Sequence, residues 1–223
     1  MDILKEGLIQ CGIQKERVEE VSAKIETYIK EIILFNSAYN LTNTSDHDEL
    51  VIRHILDSLA AYKPLSSLAH KLSKDNPLFT IADIGSGGGL PGIPLSIVFP
   101  EYNFSLVERM SKRCAFLENC AAILGLKNVK VYNLEAEKVD EEAFDIVVFR
   151  AFRPLDVDMT KTLLRLTKTG GYLAAYKAKL ENIKAEMEGI KNLAKDYSIV
   201  ELKVPFLTDS ERNLVLVNKT KTL

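Results

Sequence analysis

Residues Phe79–Gly92 read FTIADIGSGGGLPG: an apolar run, an aspartate, then five glycines within eight residues. Phe79, Ile81, Ala82 and Ile84 suit a buried strand of a parallel sheet, where helices cover both faces and polar residues are few. Gly85, Gly87 and Gly89 let the chain turn tightly and bring its backbone against a ligand with no Cβ in the way. Pro91 and Pro94 suit the first turn of a following helix, where a missing N–H costs little. A plain strand-to-helix turn needs one or two glycines. This density therefore predicts a nucleotide-type binding loop at the carboxyl edge of an α/β sheet.

The flanking sequence supports that architecture. After Phe79, strand candidates at Phe79–Ile84, Phe104–Glu108, Val129–Tyr132, Phe144–Phe149 and Gly171–Tyr176 alternate with helix candidates at Gly92–Phe99, Ser111–Leu124, Asp156–Thr167 and Leu180–Lys195. Ser111 can cap its helix, and Gly125 stands where a left-handed residue ends it. The alternation predicts a parallel sheet with helices on both faces. Ile199–Val204 and Leu214–Asn218 have only a loop between them and form an expected antiparallel hairpin. Before the sheet, Val18, Val21, Ile25, Tyr28, Ile32 and Phe35 recur at helical spacing, with Glu16, Arg17, Glu19, Glu20, Lys24 and Glu26 turned to solvent. A short helix over Ile3–Cys11 ends at Gly12. A third helix, capped by Ser45 or Asp46, runs to about Tyr62, and Ser66–Pro77 reads as a polar linker. The expected division is a helical extension over residues 1–70 and an α/β domain over 71–223.

A chain of 223 residues, 47% hydrophobic and 27% charged, accommodates one such domain with its added helices. The first residues carry acids and no apolar core, so no secretory signal is expected. No apolar run approaches the roughly 20 residues that span a bilayer, so the expected location is the cytoplasm. Cys11, Cys114 and Cys120 form no CxxC pair and read as reduced thiols; His47, His54 and His70 lack metal-ligand spacing, so no metal is expected. A net charge of −2 argues against a protein coated in basic charge, and leaves room for a local basic patch.

The glycine loop fits two patterns. Residues 87–92 satisfy GxGxxG, and residues 83–89 satisfy DxGxGxG. Glu108, at the end of the second strand, can hold ribose hydroxyls in either case. Asp83 discriminates. Beside a pyrophosphate it would add a like charge, whereas the ammonium and sulfonium of S-adenosylmethionine favour a carboxylate. The terminal hairpin resembles that of the seven-stranded class I methyltransferase sheet. Methyl transfer is the better reading: an S-adenosylmethionine-dependent class I fold, Rossmann-like and doubly wound, ending in an antiparallel hairpin.

From Tyr39 onward the chain also resembles one family, RsmG or GidB, bacterial methyltransferases of 16S ribosomal RNA. The resemblance rests on Tyr39-Asn40-Leu41-Thr42, the segment RHILDS (residues 53–58), the loop Asp83–Pro94 with its LPGIPL, Lys112-Arg113 before Phe116-Leu117, Arg150-Ala151-Phe152 and Glu211-Arg212-Asn213-Leu214. Asn213 departs from the family pattern, where many members have histidine. The resemblance implies methylation of N7 of one guanosine (position 527) in the 530 loop of 16S rRNA, with the rRNA or the small ribosomal subunit as partner; a monomer is favoured.

The chemistry asks little of side chains. Guanine N7 presents a lone pair and no proton, so no general base is needed, and holding N7 in line with the S–CH3 bond supplies the catalysis. Cofactor candidates are Gly85, Gly87 and Leu90 in the loop, Asp83 near the methionine ammonium and Glu108 at the ribose. The resemblance adds Ala136 and Glu137 at the adenine and Arg150 beside the cofactor. Arg150 ends the apolar run of the fourth strand and is read as a positioning residue; it cannot donate to N7, because that would occupy the attacking lone pair. For RNA, Lys112, Arg113, Arg150, Arg153, Lys177 and Lys179 fall near predicted carboxyl strand ends. By resemblance, Arg53, His54 and Arg212 extend this edge, although His54 alone reads as a packed helix residue or a neighbour of Asp57. Competing readings are a class I methyltransferase acting on a small molecule or protein, with the N-terminal helices as a lid, and a non-catalytic nucleotide-binding module.

Overall fold

The computed structural model describes residues 2–74, 76–150 and 154–220. Helix α1 (Ile3–Cys11) starts at Asp2, whose side chain accepts from the Lys5 N–H at 3.0 Å, and stops at Gly12 with φ +103°. Helix α2 (Lys15–Tyr39) buries Val18, Val21, Ile25, Tyr28, Ile29 and Ile32 along one stripe and ends at a left-handed Asn40. Asn36 then organises the loop that follows. Its Oδ1 accepts from the Leu41 and Thr42 N–H groups, both at 2.9 Å, and its Nδ2 donates to the Thr44 carbonyl and the Ser45 hydroxyl, both at 3.0 Å. Asp46, rather than Ser45, caps α3 (His47–Leu50) by accepting from the Glu49 N–H at 2.9 Å. The helix widens into a π-helical turn over Val51–Leu56, then continues as α4 (Asp57–Leu59) and α5 (Tyr62–Ser73).

The expected linker is therefore helical over most of its length. Leu65 and Ala69 are buried, and the Tyr62 ring stacks on Phe99 at 4.9 Å between centroids. Serines and lysines on the outer face of α5 disguise this apolar stripe. Arg17 also departs from expectation. Instead of facing solvent it donates to the Val98 and Ile97 carbonyls at 3.0 and 3.4 Å, where a helix end leaves carbonyls without partners.

The α/β part comprises β1 (Thr80–Ile84), α6 (Gly92–Val98), β2 (Asn103–Glu108), α7 (Ser111–Ile123), β3 (Val129–Asn133), β4 (Phe144–Phe149), α8 (Val157–Leu166), β5 (Thr167–Lys177), α9 (Leu180–Gly189), β6 (Tyr197–Glu201) and β7 (Asn213–Asn218). They form one seven-stranded sheet in the order β3-β2-β1-β4-β5-β7-β6. Strands β1 to β5 pair in parallel, and β7 pairs antiparallel with β5 and β6, as the hairpin predicts. Side chains alternate between faces. Ile81, Leu106, Ile146 and Val148 share a core with Ile25, Tyr28, Ile93 and Leu117, so the N-terminal helices, α6 and α7 cover one face. Ala82, Ile84, Val147 and Phe149 pack with Leu163, Leu166, Ile183 and Met187 of α8 and α9 on the other.

Three local expectations differ from the structure. Ser111 does not cap α7: its hydroxyl donates to Asn133 Oδ1 at 2.8 Å, and Met110 holds the N-cap position without a side-chain bond. Strand β5 begins at Thr167, earlier than its glycines suggest, because its register shifts between Phe144 and Ile146 and the backbone bulges there. A Cβ at Gly171 would lie 2.4 Å from the Asp145 carbonyl oxygen, so only glycine fits that bulge. Helix α9 stops at Gly189, and Ile190 and Ala194 are buried in the turns beyond it. Among the described residues no helix is long and apolar enough to cross a membrane.

Candidate active site

Strands β1 and β4 are neighbours although β2 and β3 lie between them in sequence. Their carboxyl ends frame the point where the sheet reverses its winding; the glycine loop follows β1 there and Arg150 follows β4. Gly85, Gly87 and Gly89 have φ of +73°, +58° and +90°, a region other residues enter only with strain. The Gly85 and Ser86 N–H groups bond to the Val107 carbonyl at 2.8 and 3.1 Å, and the Ser86 hydroxyl donates to the Asp83 carbonyl at 2.8 Å. The glycines then divide into two kinds. A Cβ at Gly85 would meet nothing within 4 Å, and one at Gly87 nothing nearer than 3.8 Å. A Cβ at Gly89 would lie 2.6 Å from Ile93 Cγ1, and one at Gly92 2.4 Å from Leu106 Cδ2. Gly85 and Gly87 border open space, whereas Gly89 and Gly92 are required by packing. Leu90 is buried beside them.

The loop is held from behind by a residue that sequence reasoning did not single out. The Tyr28 hydroxyl, fully buried on α2, donates to the Gly88 carbonyl. Its only sequence signal is membership of the apolar stripe of α2. Two acids hold the loop from below. Asp83 Oδ2 accepts from the Gly92 N–H at 3.0 Å, at the start of α6. Glu108 bridges two backbone groups, the Gly87 N–H at 3.0 Å and the Met110 N–H at 2.8 Å. Burial pushes the Asp83 carboxyl up to about 7, against the pull of the Gly92 N–H and the Arg150 guanidinium.

A pH dependence follows. Between about pH 4 and about pH 7 an unfolded Asp83 has lost its proton while the folded one keeps it, so this group's contribution to stability falls as pH rises through that window. Asp83→Asn is expected to remove that decline, measured by urea unfolding near pH 5 and near pH 8. An equal decline in both proteins would contradict the assignment.

Arg150 turns toward the N-terminal helices. Its Nη1 donates to Asp57 Oδ2 at 3.0 Å and to the His54 carbonyl at 3.4 Å. Arg212, from the loop before β7, donates through Nε to Asp57 Oδ1 at 2.8 Å. Asp57, which the sequence marks only as a neighbour of His54, is thus the second such residue; an acid among apolar residues in RHILDS was the available signal. His54 sits half-buried beside this cluster. Burial and the Arg150 charge push its pKa down to about 4, so it is neutral at pH 7. Lys177, another RNA candidate, has a side chain only 7% exposed, and its ammonium lies 2.7 Å from Glu186 Oε2.

The other basic candidates fall in different places. Arg113 reaches over the loop, donating to the Asn40 carbonyl at 3.4 Å, with Nη1 3.9 Å from where a Gly87 Cβ would stand. Lys112 is exposed on the same helix. Arg53 is exposed and pairs loosely with Glu49 and Asp209 at 3.7 and 3.8 Å, and Lys179 with Glu181 at 3.9 Å. Arg153, with Ala151 and Phe152, lies outside the described residues. Ala136 and the exposed Glu137 sit in a 3-10 turn after β3, pinned by Arg165, which donates to the Ala136 and Val139 carbonyls at 2.9 and 2.8 Å.

A doubly wound sheet closed by an antiparallel hairpin, a glycine loop at its switch point and an acid ending β2 define a class I S-adenosylmethionine-dependent methyltransferase. The model of the GidB family, rRNA small subunit methyltransferase G, matches residues 21–215, and the chain belongs to that family. Ribosomal RNA small subunit methyltransferase G of Treponema denticola is 39% identical over 239 residues, spanning 97% of this chain and 94% of its own. The protein of the same name from Hydrogenovibrio crunogenus is 38% identical over 220 residues, spanning 98% and 93%. Among solved structures, a tRNA methyltransferase of Aquifex aeolicus superposes with a TM-score of 0.57 at 16% identity, over 87% of this chain and 76% of its own. An rRNA methylase of Streptococcus thermophilus gives 0.53 at 15% identity, over 73% and 97%. At such identities these structures bear on the fold alone.

Proposed function

We propose that the chain transfers the methyl group of S-adenosylmethionine to N7 of one guanosine in the 530 loop of 16S rRNA. The observation that carries this reading is the open cradle over Gly85 and Gly87, with Glu108 bonded to the Gly87 N–H and the Arg150–Asp57–Arg212 cluster at the end of the neighbouring strand β4. When bound there, S-adenosylmethionine supplies a methyl group on a positively charged sulfur. Gly85 and Gly87 let the backbone approach it closely. The carboxylate oxygens of Glu108, each holding one backbone N–H, keep lone pairs for ribose hydroxyls. The negative charge that Asp83 acquires above about pH 7 favours the methionine ammonium. The Arg165-pinned turn offers Ala136 and Glu137 to the adenine.

Guanine N7 then attacks along the S–CH3 axis. The N–C bond forms as the S–C bond breaks, positive charge passes from sulfur to the guanine ring, and no proton leaves. Side chains are needed to position the base rather than to deprotonate it, and Arg150 serves there through a group other than N7. Cationic Lys112, Arg113, Arg150 and Arg212 supply the attraction for phosphates.

Two measurements test this reading. S-adenosylhomocysteine is expected to raise the melting temperature and NAD to leave it unchanged, since only a ligand bound by the folded state stabilises it. Methyl-labelled S-adenosylmethionine incubated with small ribosomal subunits from a strain lacking this activity is expected to label 16S rRNA. Label found only in protein or small molecules would favour the rival methyltransferase reading.

A further inference from the structure

We propose that Asp57 is a positioning residue that sets Arg150 and Arg212 as a two-guanidinium fork for one phosphate of the substrate RNA. The inference rests on the rRNA reading above. Asp57 gives one carboxylate oxygen to each arginine, Oδ2 to Arg150 at 3.0 Å and Oδ1 to Arg212 at 2.8 Å, and the three side chains are 10%, 18% and 25% exposed. The residues come from three separate segments: α4, the end of β4 and the loop before β7.

Two features separate this cluster from a plain structural ion pair. First, one carboxylate contacts two guanidinium groups, so the three side chains together carry a net positive charge that favours a further anion. Second, donors remain. Arg150 uses Nη1, and Arg212 uses Nε toward Asp57 and Nη1 toward the Glu211 carbonyl at 2.9 Å. Among the described residues, the second terminal nitrogen of each guanidinium has no protein acceptor. Planar guanidinium groups suit the paired oxygens of a phosphate.

Asp57 is itself held firmly. The π-helical turn before it presents the His54 carbonyl, which accepts from the Ser58 hydroxyl at 2.6 Å and from Arg150 at 3.4 Å. The Tyr176 hydroxyl on β5 donates to the Ser58 carbonyl at 2.9 Å. The carboxylate is thereby fixed to the strand ends that frame the cradle. Two oxyanions could fill the fork, an RNA phosphate and the carboxylate of the cofactor. Arg212 belongs to the loop before β7, a segment separate from the β1–β2 strand ends that hold the glycine loop, and this favours the phosphate.

Asp57→Asn separates positioning from bulk charge, because the two predict opposite signs. A charge effect alone makes the mouth more positive and lowers KM for RNA. Loss of positioning lets both guanidinium groups swing, and kcat/KM for RNA falls about tenfold, mainly through KM. The test compares wild type, Asp57→Asn, Arg212→Gln and the double variant in steady-state methylation of small ribosomal subunits, with S-adenosylhomocysteine affinity measured calorimetrically. Support requires the fall in kcat/KM, cofactor affinity within about twofold, and a double variant little worse than either single one. Arg212→Lys, which keeps the charge and loses the fork, is expected to raise KM as well, and it serves if Asp57→Asn does not fold. An unchanged or lowered KM in Asp57→Asn overturns the inference. So does a parallel loss of cofactor affinity, which would assign the cluster to the cofactor carboxylate. If wild type itself fails to methylate RNA, the rRNA reading falls; if wild type is active and Asp57→Asn equals it, only this inference falls.

Discussion

Gly89→Ala is expected to cost about 2–5 kcal/mol of folding stability, the sum of left-handed strain and overpacking. Its φ is +90°, and the added Cβ would lie 2.6 Å from Ile93 Cγ1, 2.9 Å from Leu117 Cδ2 and 3.0 Å from Tyr28 Oη. Those neighbours belong to three helices, α2, α6 and α7, so no single side chain can move aside to make room. Gly85→Ala is the informative contrast. It carries the strain, φ +73°, but meets no atom within 4 Å, so its cost to stability stays near about 1–2 kcal/mol. Its methyl group enters the cradle instead, and S-adenosylhomocysteine binding is expected to be lost. Urea unfolding with calorimetric titration of both variants checks the pair. Equal destabilisation with cofactor binding retained in Gly85→Ala would contradict the division of the glycines into ligand-facing and packing positions.

Arg150→Ala is the second large effect. Removing this guanidinium leaves Asp57 with Arg212 alone and takes from Asp83 a cation that holds its carboxyl down. Stability falls, because a largely buried carboxylate loses one of two partners. Turnover is expected to fall about 100-fold, the order of loss that a misplacement of about 1 Å brings to an aligned displacement. Arg150→Lys keeps the charge without the fork, and is expected to recover stability more fully than activity. Normal turnover in Arg150→Ala, with substrate saturating, would remove this residue from the reaction.

The strand–glycine–helix unit was legible because its causes are local. Apolar runs mark each parallel strand, left-handed φ values demand glycine, and the hairpin follows from two strands joined by a loop. The division of labour inside the loop was not legible. Gly85 and Gly89 look alike in sequence, and only the approach of Ile93, Leu117 and Tyr28 tells them apart. Long-range partners account for the other differences. Lys177 is drawn inward by Glu186 on α9, and Tyr28 reaches the Gly88 carbonyl across 60 residues of chain. Asp57 acquires its place only when β4 and the loop before β7 bring arginines to it. The outer face of α5 was misread for a different reason: its serines and lysines resemble a linker until Leu65 and Ala69 are seen buried.

Methyl transfer to guanine N7 in the 530 loop is tested through the chemistry of 7-methylguanosine itself. Borohydride reduction followed by aniline breaks an RNA chain at that nucleotide and leaves unmodified guanosines intact. Small ribosomal subunits lacking the modification are treated with the protein and S-adenosylmethionine, and the 16S rRNA is then reduced, cleaved and mapped by primer extension. One new scission is expected, at a single guanosine of the 530 loop, dependent on both protein and cofactor. Absence of scission, or scission at a nucleotide elsewhere in the rRNA, would contradict it.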